Sequence, residues 1–245
     1  TPVTGFMAAT VKVAAFGALL RLLFVAFGGV RWDWEPILWI LAILSMVVGA
    51  IIAVSQSDIK RMLAYSSIAQ AGFILVGVTA ASPAGLSSVI FYVMSYGFTT
   101  IGAFAIIAMV RGPAGEATAL NQWAGLGKKS PLVAAIFSIF MLSLAGIPLT
   151  SGFIGKWGVF AAAIEAGDVW LVIVGVVASV IAAFFYVRVI VLMYFVEPNE
   201  NTASVVVPSV FTTVSLAAAA TVTVAVGIMP QPLLELIADA GLFVR

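Results

Sequence analysis

The sequence predicts an all-α polytopic membrane protein of about seven transmembrane helices, one of them broken in mid-membrane. Three observations carry this reading. Of 245 residues, 63% are hydrophobic and only 9% are charged, against about 25% charged in soluble chains. Mean hydropathy is +1.22. The apolar residues gather in runs near the roughly 20 residues that a spanning helix needs, separated by short polar stretches.

The same composition excludes other classes. Disorder requires low hydrophobicity and high charge. Eleven basic and ten acidic residues leave a net charge of +1, with no basic run to attract nucleic acid. There is no Cys and no His, so disulfides, Cys-ligated zinc, iron–sulfur clusters and His-based proton chemistry are ruled out on this chain. Chemistry is left to Lys, Arg, Asp, Glu, Tyr, Ser and the backbone.

Seven apolar segments follow in order. The chain opens Thr1-Pro2-Val3-Thr4 without an initiator Met or signal-peptide pattern, which suggests a piece of a longer protein. Pro2 suits a helix start, and the first segment runs to about Gly29. The second covers about Pro36 to Val54, after Arg31-Trp32-Asp33-Trp34-Glu35. The third, about Ile59 to Ala81, starts beside Asp58, Lys60 and Arg61. The fourth is about Pro83 to Val110, and a Gly-rich polar loop occupies Arg111 to Ser130. The fifth runs from about Pro131 to Ala166, the sixth from Val169 to Val196, and the seventh from about Val205 to Ile228. Pro230 and Pro232 precede an amphipathic tail with Glu235 and Asp239. Spacings such as Gly72 to Gly77 and Gly97 to Gly102 suit close helix packing.

The fifth segment is too long for one span. Gly146-Ile147-Pro148-Leu149-Thr150-Ser151-Gly152 interrupts it. Pro148 removes an N–H and clashes with the preceding turn, and Gly146 and Gly152 loosen the backbone. A break in lipid survives only where the freed backbone faces protein or a wet cavity, and in transporters such breaks mark ion sites. A simple kink in a packing helix is the plainer alternative.

Basic loop residues set the orientation. On the side of Thr1 lie Lys60, Arg61, Arg111, Lys128 and Lys129. On the other lie Arg31 and Arg245. The Thr1 side is therefore expected to be cytoplasmic and the C-terminus outside. Trp32, Trp34 and Trp170 fall at the far edge, as an aromatic belt does.

Embedded ionisable residues are functional candidates. Lys12 lies about 12 Å into the first span at 1.5 Å per residue, and snorkelling is its plainer role. Lys156 follows the break by four residues. Desolvation and the positive end of the second half-helix are expected to disfavour its charge there, so that it loads and unloads a proton. Permanent pairing with a neighbouring subunit's carboxylate is the alternative. Arg21 and Arg188 keep their protons and read as structural. No Asp or Glu lies deep in any segment, so a relay needs an acid from elsewhere.

Two long runs carry a resemblance. Gln56-Ser57-Asp58-Ile59-Lys60-Arg61-Met62-Leu63-Ala64-Tyr65-Ser66-Ser67-Ile68-Ala69 is one. Leu144-Ala145-Gly146-Ile147-Pro148-Leu149-Thr150-Ser151-Gly152-Phe153-Ile154-Gly155-Lys156 is the other. With Ala8-Ala9-Thr10-Val11-Lys12-Val13-Ala14-Ala15-Phe16 they resemble the antiporter-like membrane subunits of respiratory complex I, the NADH:quinone oxidoreductase, and within them the N-type branch. M-type relatives usually carry Glu where Lys156 stands. L-type and multisubunit sodium/proton antiporter relatives share the lysine but usually extend further at the C-terminus.

The resemblance implies an antiporter-like fold of fourteen helices with two inverted five-helix repeats. This chain covers the C-terminal half, one membrane domain over 1–245. The second repeat falls at 34–196, and the last helix and tail at 197–245. Lys12 then corresponds to the central-axis lysine that passes protons between half-channels, and Lys156 to the broken-helix lysine near the exit. Gly146, Pro148 and Gly152 correspond to the break, with Tyr65, Ser66, Ser67 and Gln70 as supporting polar residues. Relatives often carry His where Gln70 stands, so a hydrogen-bonding role is expected there. The family implies proton translocation coupled to quinone reduction, with M-type and K-type neighbours in a bacterial inner membrane. It implies no cofactor on this chain, with NADH, FMN, iron–sulfur clusters and quinone on partner subunits. A cation/proton antiporter subunit and a purely structural membrane subunit are the alternatives.

Overall fold

A computed structural model of the chain describes residues 1–113, 115–207 and 209–241. Arg245, counted above on the far side, lies outside the described residues. The first span, Pro2–Ala26, is not uniformly α-helical. It contains α1 (Pro2–Phe6), a π-helical turn at Met7–Val11, α2 (Lys12–Arg21) and a second π-helical turn at Leu22–Ala26. Its buried residues Gly5, Ala9, Phe16, Leu20 and Leu23 recur every three, four or seven positions, which makes one apolar stripe toward the protein.

A short 3-10 turn leads into α3 (Arg31–Val54). This helix starts earlier than Pro36, where the sequence places it. Arg31 pairs with Glu35 one turn on, at 2.7 Å, and holds the opening turn that Pro36 leaves one backbone bond short. Asp58 caps α4 (Ile59–Thr79), its Oδ1 accepting from the N–H groups of Lys60 and Arg61 at 2.9 Å each. Ser82 caps α5 (Pro83–Met109) by accepting from Gly85 N–H at 3.1 Å, with Pro83 in the first turn. These caps satisfy amides that a helix start leaves free.

The polar stretch 111–130 differs from the expected loop. Strand β1 (Val110–Gly112) pairs antiparallel with β2 (Gly115–Glu116) and with β3 (Ser204–Val205), in the order β2-β1-β3. A helical turn, α6 (Leu126–Lys129), follows. Strand pairing satisfies backbone groups beside the apolar spans. Trp123 is buried beneath it and donates Nε1–H to Ala117 O at 2.9 Å.

The fifth segment is two helices, α7 (Pro131–Ala145) and α8 (Ser151–Glu165). Each has 15 residues, about 22 Å of rise, so neither alone crosses about 30 Å of hydrocarbon. After them come α9 (Val169–Phe195), α10 (Val210–Ile228) and the tail helix α11 (Gln231–Gly241). Helix α10 begins after Val205 because Val205 belongs to β3 and Ser209 caps the helix, accepting from Thr212 N–H. Six helical stretches among the described residues are long and apolar enough to cross a membrane, and α7 with α8 supplies the seventh crossing. The protein is membrane-embedded and mostly helical.

Helices α4 and α5 form the centre. Ile74, Val76 and Val78 of α4, and Val89, Ile106 and Ile107 of α5, are fully buried, the mark of helices apolar on every side. Helices α3 and α4 touch backbone to backbone: a Cβ at Gly72 would lie 2.7 Å from Met46 N and 2.8 Å from Ala42 O. Close contact of small residues is how helices gain packing energy in lipid. The outer faces of α3 and α9 stay apolar and exposed, with Ile40, Leu44, Val177 and Val180 among them.

Candidate proton-relay site

The break between α7 and α8 is a closed backbone motif. Gly146 ends α7 in the left-handed region at φ +83°, and Ile147 N–H returns to Leu142 O at 3.0 Å. Gly146 N–H bonds to both Leu142 O and Ser143 O at 3.0 Å. Only glycine takes that conformation freely. Pro148 follows, and Thr150 Oγ1 donates to Ile147 O at 2.7 Å before α8 begins. Gly152 sits against the end of α7: a Cβ there would fall 1.9 Å from Ser143 O. Gly152 N–H bonds to Ser143 Oγ at 3.2 Å. The half-helices therefore overlap at the break with no room for a side chain.

Two carbonyls of the last turn of α7 find side-chain partners. Lys156 Nζ donates to Leu144 O at 3.2 Å, Ala145 O at 3.0 Å and Ser179 Oγ at 3.0 Å. It also lies 4.6 Å from the centre of the Phe73 ring. This corrects the electrostatic argument made from sequence. Lys156 is the sixth residue of α8, but its long side chain reaches back to the carbonyl end of α7. The field at Nζ is set by the negative end of one half-helix, not the positive end of the other. Lys156 is only 5% exposed. A pocket of about 240 Å³ lies on its flank, lined by Gly146, Phe153, Lys156, Trp157, Ser179 and Val180 among others. Trp157 and Val180 are about two-thirds exposed, so the pocket opens on the outer face of the helices.

Lys12 is held differently. Its Nζ donates to Ser67 O at 2.5 Å, Ser67 Oγ at 2.6 Å and Tyr96 OH at 3.4 Å, and lies 4.5 Å from the Tyr96 ring centre. Tyr96 OH in turn donates to Ser67 Oγ at 2.8 Å. Lys12 thus turns inward, on the face of α2 that carries Phe16 and Leu20, while Arg21 is exposed on the other face.

A third group of polar residues lies between the lysines. Gln70 donates from Nε2 to Leu144 O at 2.9 Å and to Tyr186 OH at 3.3 Å, and accepts from Tyr92 OH at 2.5 Å. Leu144 O is therefore shared by Gln70 and Lys156. Ser66 Oγ donates to Leu63 O at 2.9 Å. A small cavity of about 10 Å³ is lined by Ser66, Tyr96, Thr100 and Leu144 among others, about what one water needs. Thr100 Oγ1 is buried there with no hydrogen-bond partner among the described residues. Tyr96 of the Lys12 group and Leu144 of the Lys156 group thus meet at one cavity.

Ser66, Ser67, Gln70, Lys12 and Lys156 are brought together with the break glycines. Tyr65 is not: it is half-buried and packs against the core instead. Arg188 donates weakly to Val54 O at 3.4 Å. Sequence reasoning missed Tyr92, Tyr96, Tyr186, Ser179 and Thr100. Tyr92 and Tyr96 carried a signal, two phenols one turn apart in an apolar span. Ser179 is a single hydroxyl in a run of Val and Ala and gave none.

The described carboxylates lie near the ends of the spans, in the segments that connect them or in the tail helix. Glu116 is bound by Lys60 and by the Thr1 hydroxyl, with Arg111 at 3.9 Å. Partial burial raises its pKa, but the hydrogen bonds from Lys60 and Thr1 outweigh that and hold it down at about 2.

The spans and the broken helix are those of an antiporter-like membrane subunit. The chain belongs to the NADH:quinone oxidoreductase/Mrp antiporter transmembrane family, whose model matches residues 1–182. It is 60% identical over 245 residues to NADH-quinone oxidoreductase subunit N 3 of Streptomyces griseus, covering all of this chain and 44% of that protein. It is 59% identical over 245 residues to NADH-quinone oxidoreductase subunit N of Rhodococcus opacus, again covering all of this chain and 45% of that protein. The chain thus spans less than half the length of these relatives, matching the C-terminal half. Among solved structures, it resembles a chain of respiratory complex I from Thermus thermophilus with bound aureothin. The TM-score is 0.80 at 32% identity, over 95% of this chain and 50% of that one. It also resembles a chain of the Mrp complex from Dietzia, with a TM-score of 0.86 at 25% identity over 100% of this chain and 53% of that one.

Proposed function

We propose that this chain is the C-terminal portion of a proton-translocating membrane subunit of NADH:quinone oxidoreductase. Lys12 and Lys156 relay protons, and the charge shift that accompanies quinone reduction on partner subunits drives them. The observation that carries this reading is the cavity at Tyr96, Ser66, Thr100 and Leu144. It is lined by Tyr96, which binds Lys12, and by Leu144, whose carbonyl accepts from Gln70 and Lys156. The hydroxyls on the Lys12 side carry proton transfer as far as this cavity, and Leu144 O, which only accepts, holds the Lys156 ammonium beyond it. The hydroxyls of Ser67 and Tyr96 accept or donate in turn, as a relay needs. Gln70 holds Leu144 O in place and takes no proton itself.

Several finer assignments go with this reading. Residues 34–196 form the second inverted repeat, and 197–245 the last helix and tail. The redox cofactors sit on other subunits, and M-type and K-type subunits are the neighbours. The chain lies in the bacterial cell membrane with its Thr1 edge cytoplasmic and its C-terminus outside, supported by the five basic residues on the Thr1 edge.

The likeness to the Mrp chain supports a second reading, a cation/proton antiporter subunit. Affinity purification of the native assembly separates the two. Flavin and iron–sulfur subunits should copurify, and their absence would favour the antiporter. A structural subunit alone would show unchanged proton uptake in vesicles when Lys156→Arg is introduced into the assembled complex.

A further inference from the structure

We propose that a cleft between the starts of α3 and α9 binds the primary ammonium headgroup of a membrane phospholipid of the phosphatidylethanolamine type. The cleft measures about 450 Å³ and is lined by Trp32, Glu35, Pro36, Trp39, Ile40 and Asp168. Asp168 is 7% exposed. Its Oδ2 is buried with no hydrogen-bond partner among the described residues. It stands at the N-cap of α9, yet its side chain makes no cap hydrogen bond. A buried carboxylate oxygen left without a donor is costly, and Asp168 is one of the residues that line the cleft.

The donor's chemistry follows from the walls. Glu35 is already bound by Arg31 at 2.7 and 3.2 Å, so the free acceptor belongs to Asp168. Residues 31–35 and 165–168 hold four carboxylates, Asp33, Glu35, Glu165 and Asp168, against one guanidinium, Arg31. That excess selects a cation. Trp32 and Trp39 offer indole faces, which attract ammonium groups. A quaternary ammonium would suit the indoles but has no N–H for Asp168, whereas a primary ammonium has three. Among the described residues no cluster of three metal-ligating side chains is present, which disfavours a metal ion.

The placement selects a lipid over a free amine. Both helices begin here, at the level where headgroups lie. Below the cleft, the exposed residues Ile37, Ile40, Leu41 and Leu44 of α3 continue as an apolar track for acyl chains.

The test uses the assembled complex in nanodiscs, imaged by electron cryomicroscopy. One set contains phosphatidylglycerol with phosphatidylethanolamine, the other phosphatidylglycerol with phosphatidylcholine. Headgroup density against Asp168 is expected in the first set only. Asp168→Asn keeps the size but loses the charge, and should lower occupancy about tenfold. Trp32→Ala, at a residue 87% exposed and so safe for folding, should lower it about threefold. An empty cleft with phosphatidylethanolamine, equal density with phosphatidylcholine, or no effect of Asp168→Asn would overturn the proposal. Filling by soluble ethanolamine in discs that lack phosphatidylethanolamine would transfer the site to small amines and overturn the lipid assignment.

Discussion

Lys12 and Lys156 are both cations inside apolar helices, yet their surroundings differ in kind. Lys12 is half-buried and bound mainly by hydroxyls, Ser67 Oγ and Tyr96 OH, with one backbone carbonyl. Lys156 is nearly inaccessible and bound by two backbone carbonyls at a helix end, with one hydroxyl. Hydroxyls rotate and can donate or accept. Carbonyls at a helix end are fixed and only accept. Lys12 thus has partners that adapt to a change of charge, and Lys156 has partners that hold a donor in one place. The difference suits a relay in which Lys12 exchanges protons along rotating hydroxyls and Lys156 exchanges its proton from a position fixed at the break.

The largest effect should come from Lys156→Arg. Arg keeps its positive charge but holds its proton, so proton uptake in vesicles of the assembled complex should fall by about two orders of magnitude, the scale of proton transfer by a positioned side chain. Full uptake with Arg would mean that only a fixed charge is needed, and the contrast with Lys12 would lose its functional meaning. Lys156→Ala should lower uptake as well. It should also lower thermal stability by about 1–3 kcal/mol, because Ala145 O loses its side-chain donor.

Lys12→Ala should reduce coupled quinone reduction and proton pumping by about tenfold, less than the full contribution of a positioned proton-transfer group, because Ser67 and Tyr96 remain hydrogen-bonded. It should destabilise less than Lys156→Ala, since Ser67 and Tyr96 bond to each other without it. Paired unfolding measurements on the two variants check this order. Equal destabilisation would erase the distinction between adaptable and fixed partners.

Gln70→Ala sharpens the comparison from the middle. It removes a donor to Leu144 O and the acceptor for Tyr92, at a cost of about 1–3 kcal/mol. Pumping should fall only as far as Lys156 loses its position. Gln70→His, whose ring can donate and accept, should recover most of the stability, as read by thermal unfolding.

The smallest effect lies outside the membrane. The pKa of Glu116 falls from 4.5 to about 2, so its folded-state pairing adds stability above about pH 4.5 that fades as pH falls toward 2. The group is near the surface, so the contribution is small. The stability difference between wild type and Glu116→Gln should be constant above pH 5 and shrink below about pH 4.5. A difference that grows on acidification would reverse the assignment.

Much of this was legible in the sequence because the bilayer imposes it. Apolar runs of the needed length, Pro and Gly at the break and the embedded lysines each follow from local chemistry in a solvent without hydrogen bonds. What could not be read were distances between segments far apart in the chain. The sequence puts Lys156 in the field of its own half-helix, because it shows which turn a lysine sits on but not where four methylenes carry its ammonium. Tertiary packing alone decided that this ammonium meets Leu144 O and Ala145 O. It decided that Lys12 finds Ser67, 55 residues away, and that Tyr96 and Leu144 share one cavity. The pairing of β1 with β3, Val110 with Val205 across 95 residues, was hidden for the same reason. Periodicity and composition fix which face of a helix turns inward. Which partner waits on that face depends on how helices distant in sequence dock, and the sequence of one chain does not state it.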